Sequence, residues 1–436
     1  MERLKQACAV AAVTIASLCA LLAPAPASAA KLTTLYSFCA KAGCADGSVP
    51  RGDLFLDEAG DLYGLTTGGG ANGRGVAFRL SSAGGKWKYQ RLYSFCSKPD
   101  CRDGGGPDGK IVFDTVGNFY GVTFNPGTVF ALMPNADRSK WSIKTLTRFC
   151  QKAGCTDGAT PTGGLTYPSA EAGALYDGVS PLYGETSSGG SSDQGTIFSL
   201  TPKIGTGRWT HRKIHDFCTE NENCDLTDGS QPNGGLLIDQ SGNLFGASAG
   251  GGPDFSGTIF QFSPRQSGKW KEQIPYTFCA PGCDAGQAPT GITRDEEGNA
   301  YGTTTSFGPN GKGGTLFELT ADGSFSLLHA FCSAGDCSDG HQPGAAPIRD
   351  AAGNLYGTTV IGGGHAIDDG HLGGGVVFER AADGNFTVLH AFCAEANCTD
   401  GEAPWAGLTM DSAGHLFGTT SGGGKNGGGT IFEVTP

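Results

Sequence analysis

The sequence predicts an all-β protein, a seven-bladed β-propeller with four-stranded blades. Three observations lead there. One unit of 53 to 68 residues recurs seven times, each copy marked by a closely spaced cysteine pair, and a period of that size belongs to stacked or circular modules. Each unit reads as four short strands separated by glycine-rich turns, the pattern of a propeller blade. The two ends are complementary: the last unit stops at Pro436 after its third strand, and Leu32 to Phe38 form a spare fourth strand. If that strand completes the last blade, the ring closes and no sheet edge is left bare.

The first thirty residues are set apart. Arg3 and Lys5 precede an apolar run from Ala7 to Leu22, and Ala27-Ser28-Ala29-Ala30 suits cleavage. Residues 1–30 are therefore expected to be a signal peptide, and residues 31–436 a single seven-repeat domain. The run is short for a membrane span and is closed by Pro24 and Pro26, so no membrane insertion is expected after cleavage.

The sixth unit shows the strand order. Gly344 to Asp350 is a short first strand, and Ala351-Ala352-Gly353-Asn354 turns the chain, with Gly and Asn suited to positive φ. Leu355 to Thr359 is the second strand, Gly375 to Arg380 the third and Phe386 to Phe392 the fourth. Second strands elsewhere carry Leu62-Tyr63-Gly64, Leu182-Tyr183-Gly184 or a close variant. Third strands carry Gly195-Thr196-Ile197-Phe198 and its equivalents, and every fourth strand ends in Phe. Helical periodicity is not sustained anywhere after residue 30.

Charge narrows the partners. The chain carries a net −12, and loss of Glu2, Arg3 and Lys5 with the leader would make it one unit more negative. Such a surface repels nucleic acid and anionic lipid. Fourteen cysteines follow the leader, paired as Cys39/Cys44, Cys96/Cys101, Cys150/Cys155, Cys218/Cys224, Cys279/Cys283, Cys332/Cys337 and Cys393/Cys398. In an exported chain these read as seven local disulfides. Zinc and pairing between neighbouring units are the alternatives, but structural zinc needs four ligands per site and each unit offers two cysteines.

The unit D-x-x-G-N-L-Y-G-T-T followed by a glycine-rich loop and G-T-[VI]-F-E-L resembles the GloVer tandem repeat of bacterial "choice-of-anchor" surface proteins. Asp350 to Thr359 with Gly375 to Arg380 carries the resemblance, as does Asp239 to Ala247 with Gly257 to Phe262. It covers essentially the whole chain after the leader. The resemblance implies a secreted or surface-attached bacterial repeat protein and brings no catalytic residues with it. The third unit departs from it, having Tyr176-Asp177-Gly178-Val179-Ser180-Pro181 in place of the D-x-x-G-N turn.

Candidate sites lie in the loops. An Asp follows most cysteine pairs: Asp46, Asp103, Asp157, Asp228, Asp339 and Asp400. Each is expected to accept backbone N–H bonds and fix a turn; the functional alternative is a carboxylate ring holding calcium. Cysteine loops, Asp-Gly turns and glycine loops should share one face. The longest irregular loop, Gly362 to Gly374, holds His365, Asp368, Asp369 and His371, groups able to bind a metal or a ligand. Trp87, Trp141, Trp209 and Trp270 open fourth strands and should pack; Trp405 follows Pro404 in a loop on the expected functional face, where packing is again the first expectation and stacking on a sugar ring the functional alternative.

These features predict an exported, extracellular or periplasmic monomer acting as a non-enzymatic binding or scaffold protein. Its expected partner is a glycan or another extracellular protein, with no cofactor beyond possible calcium. The alternative is a polysaccharide-active hydrolase or lyase with its site on the loop face.

Overall fold

The computed structural model describes residues 30–218, 228–252, 254–279, 282–309, 311–333, 335–365 and 373–436. The expected leader, apart from Ala30, lies outside them. Among the described residues the chain is all-β, apart from four single-turn 3₁₀ segments, all in cysteine loops: Ala42–Cys44, Pro99–Cys101, Ala153–Cys155 and Ala396–Cys398. No helix is long and apolar enough to cross a membrane.

Each unit forms an antiparallel sheet in chain order. In the fourth unit the strands are Gly229–Ile238, Leu244–Gly251, Thr258–Pro264 and Trp270–Thr277. In the first and sixth units the first strand is broken in two, Ser48–Pro50 with Phe55–Leu56 and His341–Pro343 with Ile348–Arg349. The second and third sheets join through a parallel bridge between Lys110 and Gly164. The first described strand, Lys31–Ser37, pairs antiparallel with the last, Thr430–Thr435.

Packing explains the repeat motif. Phe at the end of each fourth strand meets Phe of G-T-[VI]-F in the next unit. Seven such pairs occur, from Phe95–Phe130 at 4.9 Å between ring centroids to Phe217–Phe260 at 5.4 Å. One of them, Phe38–Phe78 at 5.2 Å, joins the strand paired to the last unit with the first unit. The glycine of L-Y-G makes room for that ring: a Cβ on Gly64 would stand 2.5 Å from Phe78 Cζ. Seven apolar clusters result, each spanning two consecutive units, and one packs Phe417 and Ile431 against Leu54 and Phe78. The four fourth-strand tryptophans pack against these clusters as expected.

A second contact also recurs from unit to unit. The proline of D-G-x-x-P sits against the glycine that opens the preceding unit's G-T-[VI]-F: Pro107 against Gly75, Pro289 against Gly257, Pro404 against Gly375. The same contact joins Pro50 to Gly429, near opposite ends of the chain. Beside it, Val49 N–H donates to Gly428 O at 2.9 Å, matching Ala288 to Ser256 and Ala403 to Gly374, each at 2.8 Å.

Candidate binding site

The cysteine loops set the face of the site. Disulfides join Cys39–Cys44, Cys96–Cys101, Cys150–Cys155, Cys279–Cys283, Cys332–Cys337 and Cys393–Cys398. Cys218 is also disulfide-bonded, and Cys224 lies outside the described residues. Glycine loops rest on these turns. Gly70 N–H donates to Cys44 O at 2.9 Å, Gly308 to Cys283 at 3.1 Å and Gly424 to Cys398 at 2.8 Å. Cysteine loops and glycine loops thus share one face.

The Asp residues brace this face from within. Asp103 accepts N–H bonds from Ser97 at 2.9 Å and Lys98 at 3.1 Å, and the Tyr93 hydroxyl donates to it at 2.6 Å. Asp46 is held in the same way by Ala40, Lys41 and Tyr36, and Asp157 by Gln151 and Lys152. In the later units histidine takes the tyrosine's place: His215 beside Asp228 at 3.3 Å, His329 beside Asp339 at 3.0 Å and His390 beside Asp400 at 3.1 Å. Burial opposes ionisation of Asp103, Asp339 and Asp400, but these hydrogen bonds outweigh it and hold each carboxyl below its usual range.

The six carboxylates do not gather at one point. Among the described residues, groups of three or more metal-type donors within 4.8 Å of one another are Cys393/Cys398/Glu402 and His215/Asp228/Glu272. The first uses disulfide sulfurs, which are poor ligands.

A cavity of about 620 Å³ opens among the first strands, and every one of the seven units lines it. One sequence position accounts for its chemistry, the residue directly after the proline of G-x-x-P. In chain order that residue is Arg51, Asp108, Thr162, Asn233, Thr290, Gly344 and Trp405, and all seven face the cavity. The framework repeats while the side chain it presents changes.

Arg51 lies over the Trp405 ring, 5.0 Å from its centroid. Asp53 accepts the Gly407 N–H at 2.8 Å and faces Lys110 Nζ at 3.9 Å. Asp108 accepts the Gly109 N–H at 2.8 Å. Burial pushes the Asp108 carboxyl up; Arg51 opposes that shift and Asp53 adds to it. Leu54, Ile292, Ile348 and Leu408 supply apolar wall. Aromatic, apolar and paired polar groups on a concave surface have the composition of a ligand pocket.

Glu185 lies behind this wall and breaks the repeat, because other units place Leu65, Val122, Ala247, Thr303, Thr358 and Thr419 there. It is fully buried; Oε1 accepts the Gly235 N–H at 2.8 Å, and Oε2 has no partner. Burial pushes its carboxyl up to about 8, so at neutral pH it is a protonated acid tying the third unit to the fourth. Thr303 and Thr358 make the equivalent tie through their hydroxyls to Ala345 O and Ala406 O.

A second cavity of about 650 Å³ shares Phe55, Leu56, Lys110 and Ile111 with the first. Its wall includes Tyr167, Ala170, Glu171 and Leu175, which precede the third unit's altered turn. Tyr176 N–H donates to Phe113 O at 2.9 Å, and Glu171 reaches Arg294 of the fifth unit at 4.0 Å.

Of the residues singled out from sequence, Trp405 lines the cavity, His365 is exposed at the edge of its loop, and Asp368, Asp369 and His371 lie outside the described residues. Sequence reasoning missed Arg51, Asp53 and Asp108. The available signal was a variable residue at a fixed offset from an invariant proline.

Seven antiparallel units around a shared cavity define a propeller-like repeat protein. Matches to the Gloeobacter/Verrucomicrobia repeat model over residues 23–180, 172–367 and 289–436 show that the chain belongs to that family. None of the curated proteins compared with it matches. Among solved structures it is similar to an ancestral GH74 enzyme, with TM-score 0.50 and 10% identity over 89% of this chain and 48% of that one. This likeness is one of fold. A candidate 6-phosphogluconolactonase of Bacteroides uniformis matches at TM-score 0.48, with 13% identity over 82% of this chain and 88% of that one. A protein from Lactobacillus plantarum matches at TM-score 0.47, with 13% identity over 78% and 84%.

Proposed function

We propose that this protein is an exported, non-enzymatic glycan-binding β-propeller whose ligand enters the cavity shared by its seven units. In this reading the seven sheets are four-stranded blades in a closed ring, with Lys31–Ser37 as the outer strand of the last blade. The Phe38–Phe78 and Pro50–Gly429 contacts support closure, because they repeat between the chain ends what joins neighbouring units elsewhere. Residues 1–30 act as the signal peptide, and the paired cysteines suit an oxidising compartment.

The observation that carries the ligand assignment is the post-proline position. It presents Trp, Arg, Asp, Asn and two Thr to one cavity from a constant frame. A half-buried aromatic ring amid hydrogen-bonding groups suits a sugar, which offers an apolar face edged with hydroxyls.

The test is an array of bacterial and plant polysaccharides probed with residues 31–436 and read for both retained protein and surviving glycan. Retention with the glycan intact is the expected result. Loss of the glycan would replace this reading with that of a hydrolase or lyase. Neither retention nor loss would leave a protein-binding scaffold.

A further inference from the structure

Two phenylalanines on the loop face stand in a backbone conformation that phenylalanine avoids. Phe255 has φ 53° and Phe307 has φ 63°, and they are 60% and 42% exposed. The left-handed region crowds a side chain against its own carbonyl, costing about 1–2 kcal/mol for a non-glycine residue. At the position of Phe307 other units carry Gly69, Gly189, Gly251, Gly362 and Gly423; at that of Phe255 they carry Gly73, Asp193 and Gly427. All of these residues that have a described φ use positive values, so the backbone is common to the repeat and the aromatic ring is the addition.

Packing does not account for either ring. Among the described residues neither belongs to an apolar cluster, and neither makes a ring contact. Water contact makes both apolar surfaces unfavourable as well. Strain of this kind, kept at an exposed loop without benefit to the core, marks functional positions.

Their location supplies the ligand. Ala288 N–H donates to Ser256 O at 2.8 Å, and Gln287 pairs with Ser306. Phe255 and Phe307 therefore flank the start of one strand, about 10 Å apart at the backbone given a strand spacing near 4.8 Å. Neither ring lines the cavity itself, but the backbone leads to it from both: Thr305, two residues before Phe307, and Thr290, two residues beyond the Ala288 that bonds Ser256, line it. We infer that Phe255 and Phe307 form an aromatic platform at the cavity mouth, which stacks successive parts of an extended polysaccharide chain whose end or branch occupies the cavity. This rests on the glycan reading above. It adds that the ligand is a polymer running outward over the fourth and fifth units, not a monosaccharide or disaccharide.

The test is native affinity electrophoresis in gels cast with laminarin, xyloglucan, galactomannan or alginate. Wild type, Phe255→Gly/Phe307→Gly and Phe255→Trp/Phe307→Trp are compared. The expected result is retardation of wild type by at least one polymer, about a tenfold weaker affinity in the glycine variant, and recovery in the tryptophan variant. The glycine variant should melt at or above the wild-type temperature, since the replacement relieves the left-handed strain. Equal retardation of wild type and glycine variant overturns the platform and leaves the cavity reading standing. Absence of wild-type retardation in all four gels overturns both.

Discussion

Arg51 and Trp405 belong to the first and last units, yet the guanidinium lies 5.0 Å from the centre of the indole ring. Each follows the proline of its own unit's turn. The contact makes the cavity wall continuous between the two ends of the chain. It also keeps the indole oriented by a cation that salt screens only weakly at this range.

The contact between Gly429 and Pro50 gives the first prediction. A Cβ on Gly429 would stand 2.7 Å from Pro50 Cδ, and its φ of 92° already disfavours a side chain. Gly429→Ala should destabilise by roughly 2–4 kcal/mol. Gly75→Ala, at the equivalent contact with Pro107, should cost about as much. The same Cβ atoms would also stand 2.2 Å from Thr420 O and 2.1 Å from Thr66 O within their own units, so thermal unfolding of both variants checks the close backbone packing at this repeated position, and a harmless Gly429→Ala would contradict it.

Glu185 and the buried Asp residues pull stability in opposite directions with pH. The Glu185 carboxyl is raised from 4.5 to about 8, so the stability it confers is full below pH 4.5 and is lost as pH rises through 8. The total is on the order of 5 kcal/mol. Asp103, Asp339 and Asp400 are lowered, so their contribution is present above pH 3.8 and lost as pH falls through their folded values. Stability should therefore peak in the mildly acidic range. In Glu185→Gln the decline between pH 5 and 8 should flatten, measured by urea unfolding across that range; an unchanged slope would contradict the assignment.

Asp103 holds its turn through two backbone N–H groups and a tyrosine hydroxyl. Asp103→Ala leaves those donors without partners and should cost roughly 2–4 kcal/mol. Because the bonds are internal, EDTA should leave the wild-type melting temperature unchanged. A drop of several degrees on chelation would show instead that these carboxylates hold calcium.

Each of the six described disulfides closes a loop of four or five residues, and in the chain-entropy model such a loop contributes about 2 kcal/mol. Complete reduction should therefore lower the melting temperature steeply, and Cys39→Ser/Cys44→Ser alone only slightly. Unfolding curves with and without reductant measure both.

Most of the fold was legible because the strands repeat. Phe at the end of the fourth strand and Phe in G-T-[VI]-F recur seven times, and a pattern tested seven times outweighs the weak propensity of any one strand. The turn-bracing role of the Asp residues was legible for the same reason; their Tyr or His partners were not, because the side chain at that position varies. The cavity was the least legible part. Its residues come one from each unit, 54 to 71 apart in sequence, at a position that looks like noise between two motifs. Only Trp405 stood out, by residue type. Glu185 departs from the residues at its repeat position, but its burial between two units depends on packing that no local pattern reports.

The most direct test of the central claim compares wild type, Trp405→Ala and Trp87→Ala on the polysaccharide array. Trp405 lines the cavity, whereas Trp87 packs in the first cluster. The account predicts that Trp405→Ala keeps its fold and loses retention at least tenfold, while any folded Trp87→Ala protein binds as wild type does. Undiminished retention of Trp405→Ala on the same glycans would contradict it, placing the binding surface outside the shared cavity.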